Sequence, residues 1–240
     1  LSSAATVLFC GCSTSPKEGY SIVDGVIVFD VPARAEGQHS VLRLTVDPIP
    51  VVRVGFIGLG MRGPGAVERF ANIDGVEIVA LCDLYPERVD KSQEILAGHN
   101  LPAAAPYSRE EGWKELCRRD DIALVYICTP WQLHVPMAVY AMEHGKHVFC
   151  EKPLGTNVAQ CKEAEKVVEA HPELVFQLGF MRRFDPSYAE AKRRVDAGEI
   201  GKVVLVRSCT QDPRSTIEST LKFLPHSGGQ FLDMCVHDLD

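Results

Sequence analysis

The hydrophobic pattern changes character near residue 51. Over residues 20–50, apolar and polar positions alternate through β-branched residues in Tyr20–Val23, Gly25–Phe29 and Val41–Val46, with turn residues between them. Period-two alternation bounded by turns predicts a β-rich N-terminal extension, and Pro48 and Pro50 close it as a linker. From Val51 onward the apolar runs are continuous: Val52–Ile57, Val76–Cys82, Ala123–Cys128, His147–Cys150 and Leu174–Leu178. Short, fully apolar strands separated by helical stretches predict a parallel sheet covered on both faces, a doubly wound α/β fold.

The stretches between the runs carry helix signals. Pro64–Ala71 is predicted helical, and Pro86–Leu96 places Val89, Ile95 and Leu96 on one face and charges on the other. Ser108-Arg109-Glu110-Glu111 has capping-box spacing and predicts a helix to Arg118. The predicted helix Leu133–Glu143 is closed by Gly145 in the manner of a C′ glycine. Beyond Gly179 the pattern predicts a polar helix over Ser187–Ala197, a strand over Lys202–Cys209, a Ser/Thr/Pro-rich loop and a helical segment over Gly229–Asp240. The expected organisation is one α/β domain over residues 51–199 and the beginning of a second over 200–240.

Composition narrows the classes. Among 240 residues, 46% are apolar and 24% charged, and the net charge of −7 comes without a basic block. That argues against disorder and against a nucleic-acid partner. The nine cysteines are odd in number, scattered and free of any CxxC pair, so neither a disulfide framework nor a structural zinc site is expected. No run reaches the roughly 20 apolar residues of a membrane span. Residues 1–19 begin without methionine, and Ala4–Cys12 is a short apolar run ending in small residues and cysteine, followed by a polar stretch. This is the pattern of a lipoprotein signal remnant, or of a plain apolar start followed by a linker. It leaves open a cytoplasmic protein or a lipid-anchored exported one. The final residues stop in mid-pattern, as expected of a fragment of a longer protein.

The strand Val52–Ile57 runs into Gly58-Leu59-Gly60-Met61-Arg62-Gly63, with a predicted helix next. This is GxGxxG in its required strand–turn–helix context. Its glycines allow a tight turn, close approach of a pyrophosphate and helix–strand packing, and the helix N-terminus faces the phosphates. The following strand ends in Asp83, twenty residues after Gly63, where a carboxylate can accept from both ribose hydroxyls and repel a 2′-phosphate. Leu84 and Tyr85 bring no positive charge, so NAD is expected rather than NADP.

Ligands of open parallel sheets sit beyond the carboxyl ends of the strands. There stand Thr129-Pro130-Trp131-Gln132-Leu133-His134 and Glu151-Lys152-Pro153. A lysine beside a nicotinamide suits polarising a substrate oxygen. His134 reads better as a helix-start histidine satisfied by local hydrogen bonds than as a catalyst, and Trp131 as either packing or substrate wall. Asp233 and His237, four apart on a helical segment, share a face, so the aspartate is expected to hold the histidine as a general base. The alternative is a solvated polar face with Asp238 and Asp240. A metal site from Asp233, Cys235 and His237 is set aside because Cys235 and His237 do not share a helix face.

Taken together, these residues resemble the glucose–fructose oxidoreductase / inositol dehydrogenase / rhizopine catabolism (Gfo/Idh/MocA) family. The likeness runs over about Val52–Asp240 and rests on the glycine loop, Asp83, Thr129-Pro130 with His134, Gly145-Lys146-His147-Val148, Glu151-Lys152-Pro153, and Asp233 with His237. Gly179-Phe180-Met181-Arg182-Arg183-Phe184-Asp185 looks like the inositol dehydrogenase branch. The resemblance implies a Rossmann domain followed by an α/β substrate domain with an open sheet, of which only the start is present. Such a sheet suits self-association, so a homo-oligomer is expected of the full-length form.

It implies NAD as cofactor and a small sugar or polyol as substrate. Its cofactor contacts would be Gly58, Gly60, Met61, Arg62, Gly63, Asp83, Thr129, Pro130, His134, Glu151 and Lys152. Its catalytic residues would be Lys152 on the reacting hydroxyl and His237 as proton acceptor with Asp233, and no metal is involved. Arg182 and Arg183 would line the substrate or cofactor edge. The stretch from Val125 to Val148 also resembles the NAD-dependent glycosidases of glycoside hydrolase family 109. In that branch transient oxidation and re-reduction give no net redox change, and the lysine of Glu-Lys-Pro is expected to be absent. Lys152 therefore favours the dehydrogenase. A non-catalytic nucleotide-binding protein is the remaining reading.

Overall fold

The computed structural model describes residues 20–23, 26–29, 46–223, 229 and 231–240. Two compact units are present. In the first, β1 (Tyr20–Val23) and β2 (Val26–Phe29) form an antiparallel hairpin, as the alternation predicts. The lipoprotein-like start and most of the third predicted strand, Val41–Val46, lie outside the described residues.

The second unit is built on a six-stranded parallel sheet. Its strands are β3 (Val52–Ile57), β4 (Val76–Cys82), β5 (Ala105–Tyr107), β6 (Leu124–Ile127), β7 (His147–Cys150) and β8 (Phe176–Leu178), in the order β5-β4-β3-β6-β7-β8. This is the doubly wound Rossmann order, which reverses between β3 and β6. Two apolar layers flank the sheet. On one face α1 (Gly63–Phe70) and α2 (Pro86–Gly98) bury Ala66, Val67, Val89 and Leu96 against Val54, Phe56 and Leu81. On the other, α3 (Gly112–Cys117) and α4 (His134–Glu143) bury Leu116, Met137, Ala138 and Ala141 against Ile57, Val125 and Ile127, and α5 (Val158–Ala170) packs on α4. Because both faces are covered, the central strands read as continuous apolar runs.

Helix ends follow local chemistry. Gly145 closes α4 with a positive φ of 73°, the Lys146 N–H donating to Ala141 O and the Gly145 N–H to Met142 O. The capping box expected at Ser108 does not form. Residues 108–111 are a turn, α3 begins only at Gly112, and its N-cap Glu111 makes no side-chain cap. The predicted strand over Lys202–Cys209 is also absent: residues 201–213 are irregular, and Val204, Leu205 and Val206 are exposed. A strand needs a hydrogen-bonding neighbour, and none pairs with this run among the described residues. The polar helix forms as α6 (Pro186–Asp196), capped by Asp185, and is wholly exposed. Two further short helices are α7 (Ile217–Phe223) and α8 (Val236–Leu239), the latter preceded by a π-type turn over Phe231–Cys235. No described helix is long and apolar enough to cross a membrane. Cys82, Cys117 and Cys150 are buried in the core as free thiols, and burial pushes the Cys82 and Cys117 thiols up to about 12, far from thiolate chemistry.

Candidate active site

The sheet reverses at the carboxyl ends of β3 and β6, and the glycine loop fills that point. Gly58 has φ of 95°, and a Cβ there would sit 2.7 Å from the carbonyl carbon and oxygen of Cys128. A Cβ on Gly63 would sit 2.4 Å from Gly58 O. The two glycines thus let the loop close on itself and on the β6 end. Arg62 is the N-cap of α1 and places no side-chain bond on its first turn, so that turn is open to a ligand. Met61 is exposed.

Asp83, just past β4, is buried. Its Oδ2 accepts the Leu59 N–H at 2.7 Å, and its Oδ1 accepts the Tyr85 N–H at 3.1 Å and Arg88 Nη1 at 3.3 Å. The carboxylate therefore also pins the glycine loop, a role the spacing does not reveal. An open helix start, a loop with no room for Cβ atoms and a carboxylate at the next strand end fit a dinucleotide with its pyrophosphate on α1 and its ribose at Asp83.

Beyond β6, a 3₁₀ turn over Trp131–Leu133 leads into α4. His134 is fully buried, with Nδ1 2.7 Å from Pro153 O and Nε2 2.8 Å from Thr129 O. Two local backbone carbonyls flank it, and the one N–H of the neutral ring can serve one of them. Its ring spaces the Thr129-Pro130 loop from the Lys152-Pro153 turn. Burial holds its imidazole below the usual value, against the two carbonyls. Glu151 is half-buried and accepts the Tyr126 hydroxyl at 2.8 Å. Tyr126 itself is stacked between Phe56 and Phe149, at centroid distances of 5.1 and 4.6 Å. Trp131 is buried, with Lys152 Nζ 5.9 Å from its ring centroid.

Lys152, at the end of β7, donates through Nζ to Asp233 O at 2.5 Å and Asp233 Oδ1 at 3.0 Å. The lysine side chain is only 9% exposed. The expected Asp233–His237 pair is corrected here, since the aspartate serves Lys152. The reason is the π-type turn over Phe231–Cys235: its wider winding breaks the i, i+4 alignment that an α-helix would give.

His237 packs edge-on to Phe180 at 6.3 Å, and its Nδ1 is buried without a hydrogen-bond partner. Burial first, then the cations Lys152, Arg182 and Arg62, hold its imidazole below the usual value, with Asp240 opposing. Cations of the lysine turn, the Met181–Phe184 turn and the glycine loop thus all act on this ring.

The polar face expected around it is not simply solvated. Arg182 bonds His237 O at 2.9 Å, Asp238 Oδ1 at 2.5 Å and Thr210 Oγ1 at 2.7 Å, and Ser208 adds a bond to Asp238. Arg183 grips Asp240 through two nitrogens. Both arginines thus tie the Met181–Phe184 turn to the segment bearing His237. Sequence reasoning missed Arg88, Tyr126 and Asp238. A cation one helical turn past the strand-end carboxylate was the available sign of the first; the other two carry no local pattern.

Comparison with known proteins agrees with this geometry. The Gfo/Idh/MocA model described as oxidoreductase family, NAD-binding Rossmann fold, matches residues 52–180, and the Gfo/Idh/MocA C-terminal domain matches 188–240. Over 124 residues, 51% of this chain, the sequence is 64% identical to glycosyl hydrolase family 109 protein 1 of Bacteroides fragilis, covering 27% of that protein. Among solved structures, myo-inositol 2-dehydrogenase of Lactobacillus plantarum is 39% identical with a TM-score of 0.70, over 78% of this chain and 54% of that one. Scyllo-inositol dehydrogenase of Lactobacillus casei, solved with NAD(H) and scyllo-inositol, is 34% identical with a TM-score of 0.70, over 79% and 54%. The match thus spans about a quarter of that curated relative and about half of these solved chains.

Proposed function

The chain belongs to the Gfo/Idh/MocA family of NAD-binding oxidoreductases, and from that premise we propose that the full-length protein oxidises a hydroxyl-bearing carbon of a cyclic polyol or sugar. The observation that carries this reading is Lys152, held at a strand end by Asp233 beside the unpartnered Nδ1 of His237. NAD, when bound, accepts the hydride. Gly58, Gly60, Met61, Arg62 and Gly63 hold its pyrophosphate, Asp83 its ribose, and Thr129, Pro130 and Glu151 border the nicotinamide end.

An ammonium has three N–H donors; Asp233 takes two and leaves one for the substrate hydroxyl. His237, neutral because its pKa is lowered, accepts the hydroxyl proton while the C–H bond gives up its hydride, and the product is the ketone. The inositol dehydrogenases among its structural neighbours support a polyol substrate.

The second reading is the family 109 glycosidase, favoured by 64% identity over 124 residues to a protein of that name. The test mixes the full-length protein with NAD and a panel of inositols and hexoses and follows NADH absorbance. Growth with one substrate supports the dehydrogenase. No growth in a protein that binds NAD, with release of aglycone from an aryl glycoside, supports the glycosidase instead.

A further inference from the structure

Tyr126 is a buried phenol to which the reaction as read above gives no part. In the register of the sheet, Phe56 of β3 stands beside Tyr126 of β6, and Tyr126 beside Phe149 of β7. The three rings form a cross-strand row, stacked at centroid distances of 5.1 and 4.6 Å. Phe70 of α1 meets Phe56 and Tyr126 edge-on, at 5.3 Å from each. Packed on these sides, the Tyr126 ring is held in one orientation, and its hydroxyl in one place. A phenylalanine would fill the same row; the hydroxyl adds a polar atom that needs a partner in the interior.

That partner is Glu151, the residue before Lys152. The hydroxyl donates to Glu151 Oε1 at 2.8 Å. Burial first, then the neighbouring Cys128 and Glu151, push the pKa of the phenol up, so it stays a donor. The other carboxylate oxygen is closed in by Gly179, just past β8, where a Cβ would sit 3.2 Å from Oε2. The Glu151 N–H donates to Ile127 O at 2.9 Å. Residue 151 is thus tied to β6 through its backbone and through its side chain. The same strand runs on into Cys128, against which Gly58 of the glycine loop packs. One strand therefore carries both the seat of the cofactor loop and the anchor of the lysine turn.

Resting on the reading of Lys152 as the group that meets the substrate hydroxyl, we propose that Tyr126 is a positioning residue for hydride transfer: its hydroxyl, carried by the aromatic row, fixes Glu151, and Glu151 fixes the chain from which Lys152 reaches the substrate. Lys152 is then located at both ends. Asp233 holds its Nζ, and Tyr126, acting through Glu151, holds its base. Rate depends steeply on such placement, because the reacting atoms must be held close and aligned before the bond can transfer.

The test is single-turnover NADH formation by the full-length protein, with NAD and the inositol or hexose of the panel that yields NADH, for the parent, Tyr126→Phe and Gly179→Ala. Tyr126→Phe keeps the aromatic row and frees the carboxylate. Its rate constant should fall about tenfold, within the roughly 10²-fold that a misplacement of about 1 Å can cost, with NAD affinity held within about threefold because the glycine loop and Asp83 are untouched. The amplitude of the turnover should match that of the parent. Gly179→Ala presses on the same carboxylate from its other side and should slow the same step. A role in folding alone would lower the amplitude and the melting temperature and leave the rate constant of Tyr126→Phe at the parent value; that result overturns the proposal. So does a Gly179→Ala rate equal to the parent's beside a slow Tyr126→Phe, since the phenol would then act by a route other than Glu151. No NADH from the parent with any member of the panel overturns the dehydrogenase reading itself, and the proposal with it.

Discussion

Lys152 and Asp233 lie 81 residues apart in sequence and meet at 3.0 Å, Nζ to Oδ1, in a setting where the lysine is almost wholly buried. The pair joins the end of the Rossmann sheet to the C-terminal segment that bears His237. The lysine is aimed from one element, and its counter-charge arrives from another. Lys152→Ala should therefore leave NAD affinity within about threefold while cutting turnover by about 10²–10⁴, the range of a lost acid–base group. Asp233→Asn keeps the backbone carbonyl and an amide oxygen as acceptors for the ammonium but removes its counter-charge, and should cost less. Single-turnover kinetics beside NAD titration separates the two effects. Turnover of Lys152→Ala at the parent rate would remove the lysine from the reaction.

As the proposed proton acceptor, His237 should set the acid side of the pH profile. Burial, then Lys152, Arg182 and Arg62, lower its pKa from the usual 6.5. The ring is thus neutral at pH 7, the form that accepts a proton. Activity should fall as pH drops through the lowered value, so the acid limb of kcat/KM lies below 6.5. Arg182→Gln removes one of the lowering cations and the bond to His237 O, and should move that limb upward. A limb already above 6.5 in the parent, or one that Arg182→Gln leaves in place, would contradict the assignment.

The sheet and its phosphate loop were legible because their signals are local. Continuous apolar runs, glycine spacing and an aspartate at a strand end each fall within a short window. Three features were not. β5 is three residues long and contains Pro106; its pairing of Ala105–Tyr107 with Ala80–Cys82 makes it a strand, not its own propensity. The β-branched run at residues 202–209 shows the converse, propensity without a partner. Asp233 turned to Lys152 because a π-type turn replaced the expected α register, and nothing in the spacing of residues 233 and 237 announces that. The helix α5 does carry a local start signal: Asn157 caps it by accepting the Gln160 N–H, while Gln160 Oε1 accepts the Thr156 N–H.

Gly63 tests the cradle for the pyrophosphate. A Cβ there would stand 2.4 Å from Gly58 O, a contact with backbone that no rotamer relieves. In Gly63→Ala the loop must open or α1 must move, either of which displaces the first helical turn from the phosphates. The overpacking should cost about 1–3 kcal/mol of stability, and NAD affinity should fall by more than the fold loss explains. Urea unfolding and NAD titration of the same preparation check both. Unchanged NAD affinity would place the dinucleotide elsewhere.

His134 makes a prediction about stability with a definite sign in pH. A neutral imidazole carries one N–H, yet two carbonyls, Pro153 O and Thr129 O, face its nitrogens at 2.7 and 2.8 Å. Protonation would satisfy both, but burial lowers the pKa. The folded state therefore binds this proton less readily than the unfolded chain. Between the lowered folded value and the unfolded value near 6.5, stability rises with pH, and above that window the contribution is constant. His134→Ala strands a buried carbonyl and leaves a void, at a cost of about 2–4 kcal/mol. Its melting temperature should fall by roughly 5–15 °C at pH 7.5. Because the titrating group is gone, the variant should lose less stability than the parent between pH 7.5 and 5.5. Urea midpoints at the two pH values decide the matter: an equal pH difference in parent and variant would show that His134 does not titrate in this range, and an unchanged midpoint at pH 7.5 would show that it does not hold the two loops.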